Sequence, residues 1–138
     1  MSTPQKPYSR EQLSGLAVAL RRVLEPAFDA DTAAPGFVGI GPSAGQCAAV
    51  ALIAYEDLGG KLVSAKVDGQ SHWFNRFLVE GGWVDVDLTG DQFGRPAIQW
   101  GDAGTLYEAT RERGLAEVNQ ETADRSRRLR TRAALGGP

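Results

Sequence analysis

Cysteine, histidine and methionine each occur once in this chain of 138 residues, and no apolar run is long enough to span a bilayer. One cysteine cannot form an internal disulfide, and a Cys-rich zinc site is excluded with it. One histidine leaves a single possible Cys/His pair, Cys47 with His72. An excess of charge of one sign is also lacking. The 15 Lys and Arg against 17 Asp and Glu give a formal net charge of −2, which makes no overall electrostatic case for nucleic acid. The opening MSTPQKPYSREQ is polar, without the apolar core of a signal peptide. These absences lead us to expect a cytoplasmic protein in a reducing compartment, with no metal, no cofactor and no membrane partner, as a monomer or small homo-oligomer.

With 42% hydrophobic and 23% charged residues, the composition is that of an ordinary globular protein. A chain of this length reads as one domain over 1–138, able to bury roughly two-thirds of its unfolded surface. Ser9 with Gln12 three residues on is a capping-box pattern. Leu13, Leu16, Ala17, Leu20, Val23 and Leu24 follow at helical spacing, predicting a helix from about Arg10 to Leu24 that ends near Pro26. Residues 27–46 read as a long loop. Cys47 to Leu58 is apolar almost all round, a buried helix closed by Gly59 and Gly60. KLVSAKV, SHWFNRFLV and WVDVDL read as antiparallel strands joined by Asp68-Gly69 and by Glu80-Gly81-Gly82. Two more helices are expected at about 103–112 and 121–134. In the second, the arginines of RSRRLRTR form a solvated or ion-paired face, with Leu129 turned inward. The fold class is α+β.

A thiol becomes a nucleophile at neutral pH when it sits at a helix N-terminus or beside an imidazolium. In GPSAGQCAAVAL, Cys47 stands where a loop of small residues becomes a helix. There its backbone N–H can face a developing oxyanion. His72 is the sole candidate base, and a carboxylate or amide is needed to orient it. With an even number of residues in the hairpin loop, His72 shares a sheet face with Asp85 and Asp87. A turn centred near Val79-Glu80 sets His72 opposite Asp87, whereas one centred on Gly81-Gly82 offsets them by about four residues. Each feature also has a plainer reading. Free cysteine is among the most buried residue types, Asp85 and Asp87 can be the solvent face of a strand, and Asn75 can serve backbone hydrogen bonding. Trp73 and Trp83 read as core or pocket walls.

The order of Cys at a helix start, His in a strand and Asp in the next strand resembles the papain-like and transglutaminase-like superfamily. His72-Trp73, Gly82-Trp83-Val84 and Asp87-Leu88-Thr89 resemble the transglutaminase-like pattern. GQCAAVAL, SHWFNR and DLTGDQF together resemble the YunG-like family of small bacterial proteins. The resemblance implies helices packed on a small antiparallel sheet, with Cys47 as nucleophile, His72 as general base and acid, and Asp87 as its orienter. Gln46 is the candidate second oxyanion donor, since Gly41 stands where papain-like proteases carry a glutamine. Asn75 is a candidate supporting residue. The implied reaction is acyl transfer at a peptide, amide or small-molecule acyl substrate, by hydrolysis, deamidation or transamidation. The alternative is a catalytically idle papain-like domain used for binding. Because no lid-sized insertion separates His72 from Asp87, a shallow open cleft with a partly exposed Cys47 is expected, unless the 27–46 loop folds over it.

Overall fold

The computed structural model describes residues 7–37 and 39–133. The polar stretch 1–6 and residue 134, the expected end of the last helix, lie outside the described residues. Helix α1, Arg10–Leu24, starts at Ser9, whose hydroxyl accepts from the Gln12 N–H while the Gln12 side chain accepts from the Ser9 N–H. This reciprocal cap satisfies two donors that a helix start otherwise leaves open. Leu13, Ala17, Leu20 and Leu24 form its buried stripe, and Leu16 and Val23 fall beside it, half-exposed. Helix α2, Cys47–Leu58, is apolar on every side because it is covered on every side; Ala49 through Ala54 are all buried. It stops at Gly59 and Gly60, both in the left-handed region that costs glycine least.

Strands β1 (Lys61–Val67), β2 (Gln70–Val79) and β3 (Gly82–Asp87) form an antiparallel meander. Asp68 and Gly69, both at positive φ, make the first two-residue turn, the twist-compatible type that Asp-Gly favours. Glu80 and Gly81 make the second, so Val79 faces Gly82. With β4 (Gln99–Asp102) and β5 (Arg111–Arg113), the sheet has five strands in the order β4-β3-β2-β1-β5. The expected helix at 103–112 is absent. Gly104 and Ala109 adopt positive φ there, a conformation that interrupts a helix. The segment instead carries the chain from one edge of the sheet to the other.

Phe77, Val79, Val84 and Val86 meet α1, α2 and the inward-facing Leu129 in the main core. Leu129 belongs to α3, Gln120–Arg132, which is capped by Asn119. The opposite sheet face holds a second cluster of Val63, Ala65, Val67, Phe74 and Tyr107, with Phe93 packed on it. The α3 arginines are tethered. Arg130 pairs with Asp57 at 2.8 Å and Arg132 with Asp31 at 2.7 Å, while Arg127 pairs with Asp124. Among the described residues no helix is long and apolar enough to cross a membrane.

Candidate active site

The register of β2 and β3 decides the relation of His72 to Asp87. Asn75 faces Val86 and Arg76 faces Asp85. Continuing that count sets Phe74 opposite Asp87 and His72 opposite Thr89. The even, two-residue loop keeps His72 and Asp87 on one sheet face as diagonal neighbours, a relation within reach of long side chains. His72 Nε2 lies 2.8 Å from Asp87 Oδ2, and both side chains are fully buried. Asp85 has a different task. It is buried and holds Arg76 in a two-point ion pair at 2.6 and 3.1 Å.

Asp87 is held on every side. Oδ2 also accepts from the Tyr107 hydroxyl and, at 3.4 Å, from Gln99 Nε2. Oδ1 accepts from the Thr89 N–H at 3.0 Å and the Thr89 hydroxyl at 3.3 Å. Burial alone pushes this carboxyl up, but the His72 bond and charge, with the Tyr107 and Thr89 donors, outweigh it and hold Asp87 below the ordinary carboxylate value. Tyr107 is pushed up by burial and by the neighbouring Asp87 charge, so it remains a donor.

The imidazole of His72 is boxed by aromatic rings. Phe74 stacks at 5.8 Å between centroids, Phe93 meets it edge-on at 4.9 Å and Tyr107 at 5.2 Å. Burial disfavours the charged ring, yet hydrogen bonds to Asp87 and Cys47, together with their charges, push it up to about 9. Cys47, the first residue of α2, is the second group beside His72 that raises it. No side chain caps that helix start.

Cys47 is held in place by stitches between the loop before it and the turn Gly90–Phe93 after Asp87. The Gly45 N–H donates to Gln92 Oε1 at 3.1 Å, the Ile40 N–H donates to the Gln92 carbonyl at 3.0 Å, and the buried Ser43 hydroxyl bonds Asp91. Gly41 is required in this contact. A Cβ there would stand 3.0 Å from both the carbonyl and a carboxylate oxygen of Asp91, at φ +80°. Behind the turn, buried Arg21 binds Asp91 through two nitrogens, each at 2.9 Å, and the Leu88 carbonyl at 2.6 Å. The third face of His72 belongs to Gln92, whose Nε2 lies 3.0 Å from Nδ1.

The expected open cleft is corrected by these contacts. Cys47 is only 6% exposed and His72 is not exposed at all, because the end of the 27–46 loop and the Gln92-Phe93 turn close over them. A groove of about 560 Å³, lined by Gly39, Ile40, Asp68, Gln70, Gln92 and Phe93, lies directly outside. Gln92 and Phe93 thus form both the groove's inner wall and the cover of His72.

Of the other residues singled out from sequence, Gln46 gives an N–H to the Asp29 carbonyl at 3.0 Å, and its buried Oε1 has no partner. Asn75 donates to the Ala51 carbonyl at 2.9 Å, pinning β2 to α2. Gln92, Thr89, Gln99 and Tyr107 were not assigned from sequence. The first two lie in the quoted DLTGDQF, but Tyr107 was hidden in an expected helix. Among the described residues there is no group of three or more His, Cys, Asp or Glu side chains that could hold a metal.

A family model described as YunG protein matches residues 17–134. No curated protein and no solved structure matches the chain. The chain belongs to the YunG family.

Proposed function

We propose that the protein is a cysteine-dependent acyl-transfer enzyme acting at an amide or ester, with Cys47, His72 and Asp87 as its triad, on a papain-like or transglutaminase-like scaffold. The observation that carries this reading is the placement of one imidazole between a carboxylate and the thiol at a helix start. The scaffold reading is supported by a helix bearing the cysteine that packs on an antiparallel sheet bearing His and Asp on successive strands.

In this mechanism the Cys47 thiol gives its proton to His72 Nδ1 and the sulfur attacks the substrate carbonyl. The oxyanion that forms is met by backbone N–H groups at the start of α2. Nδ1–H then protonates the departing amine or alcohol, which leaves an acyl-thioester on Cys47. His72 next takes a proton from water or an amine as that group attacks. Asp87 keeps the ring oriented and stabilises its positive charge throughout. A covered site removes the ground for preferring water as acceptor, so hydrolysis, deamidation and transamidation stand equally.

Burial of both Cys47 and His72 favours a second reading, a catalytically idle domain that binds through the groove. The two are separated by incubating wild type and Cys47→Ala with a panel of activated acyl donors, followed by intact mass spectrometry. An adduct on wild type alone supports the enzyme, and its faster loss to added amine than to water identifies transamidation. No adduct with any donor moves the assignment to the binding domain.

A further inference from the structure

The hydrogen-bond network around Gln92 fixes the amide's orientation and with it the role open to His72 Nδ1. Gln92 is 1% exposed, so its amide must satisfy its neighbours as it finds them. The Gly45 N–H can only donate, and it lies 3.1 Å from Oε1. The Thr89 hydroxyl sends its proton to Asp87 Oδ1 and is left as an acceptor for Gln92 Nε2 at 3.1 Å. Both neighbours orient the amide the same way, with its NH2 group toward His72 Nδ1 at 3.0 Å. Nδ1 must then accept, and Nε2 must carry the hydrogen given to Asp87, which is an acceptor only. The network therefore favours the neutral ring while Gln92 is in place and opposes the upward push of Asp87.

We infer that Gln92 is a positioning residue whose amide disfavours a proton on His72 Nδ1, so that the imidazolium form paired with Cys47 gains ground when the Gln92 amide turns or withdraws. This rests on the triad reading given above. The titratable groups facing the ring are Asp87 from β3, Cys47 from α2 and Tyr107 from the segment leading to β5. Asp91, beside Gln92, is neutralised by Arg21. The charge on Asp87 draws a proton onto His72, and the carboxamide opposes it. Rotating the amide in place would bring its NH2 group against the Gly45 N–H, two donors facing each other. Release therefore requires the Gly45 loop to move, or Gln92 to swing toward the groove it lines. A ligand in that groove with a hydrogen-bond acceptor for the Gln92 NH2 group would draw it off Nδ1. Occupancy of the groove would thereby arm the thiol.

Because His72 is the only histidine, its two ring nitrogens can be followed by 15N NMR in the intact protein. In wild type, the neutral form should be the Nε2–H tautomer. In Gln92→Met, which fills the space without donating, the His72 titration should move up by roughly half to one pH unit, the worth of one lost hydrogen bond to the neutral ring. A neutral Nδ1–H tautomer in wild type overturns the inference without any variant, and so does an unchanged titration in a folded Gln92→Met. Cys47→Ala separates this inference from the triad reading. If it leaves the His72 titration unmoved while Gln92→Met shifts it, the Cys–His couple fails and the Gln92 effect stands. The reverse pattern retains the couple and rejects the role of Gln92.

Discussion

His72 and Asp87 are diagonal neighbours across the β2–β3 hairpin, not a directly opposed pair, and their side chains still meet at 2.8 Å. The diagonal leaves the position opposite His72 to Thr89, whose hydroxyl and N–H both serve Asp87. It thus places two extra donors on the orienting carboxylate, which a direct pairing would not.

The acid limit of stability follows from that carboxylate. A folded-state value held below the ordinary one stabilises the protein above the unfolded value of about 3.9 and loses that contribution as pH falls through the folded value. The stability gap between wild type and Asp87→Asn should be flat between about pH 5 and 6, shrink below about pH 4, and shrink again as pH rises through the raised His72 value of about 9, as read by urea unfolding at each pH. A gap that persists unchanged at acid pH would show that Asp87 is not charged in the folded protein.

Tyr107→Phe removes one donor from Asp87 while keeping the ring against His72. We expect a loss of about 1–2 kcal/mol in unfolding free energy and a change in the His72 titration, with little change in near-ultraviolet dichroism. Unaltered stability would mean that Asp87 finds an equal donor elsewhere.

Cys47 should react with iodoacetamide slowly in the folded protein, at a rate set by the fraction of time its cover is open and by the reactivity of the thiol in that open state. Between pH 6 and 8 that rate should fall in His72→Ala if the imidazole takes the thiol proton as proposed. Equal rates in both proteins, with labelling only in denaturant, would make Cys47 a packing residue.

Arg21 is buried and answers Asp91 and the Leu88 carbonyl. Arg21→Ala leaves the carboxylate uncompensated and should cost about 3 kcal/mol in urea unfolding. The proposed acyl transfer should decline with it, since the same Asp91 turn is stitched to the loop before Cys47. A fully stable Arg21→Ala would separate α1 from the positioning of the site.

The five arginines of 125–132 should confer no submicromolar binding to DNA or RNA at physiological salt. Three of them are paired with carboxylates of α3, α2 or the preceding loop. Tight binding with a steep salt dependence would contradict this.

The sequence was most legible where local signals and packing agree. The Ser9 cap, the apolar run from Cys47 to Leu58 and the Asp68-Gly69 turn each name their element, and strand parity brought His72 to the same face as Asp87. It was less legible where long-range contacts decide. Residues 103–112 carry helix-compatible side chains, but Tyr107 is pulled to Asp87, and Arg111–Arg113 complete the exposed edge of β1. Nor could spacing foresee that the turn after Asp87 would grip the loop before Cys47. That contact depends on Gly41 admitting Asp91 at close range.

The chain crossing from β4 to β5 lays Tyr107 over the His72 face only after every strand but the last has been made. Cys47 leaves the ribosome long before the residues that complete its surroundings. A nascent or half-folded chain therefore presents an ordinary thiol, without the imidazole and carboxylate that would make it a nucleophile. If the triad works as proposed, activation of the thiol waits until assembly is finished, and triad-like reactivity would also certify that the sheet has closed from edge to edge.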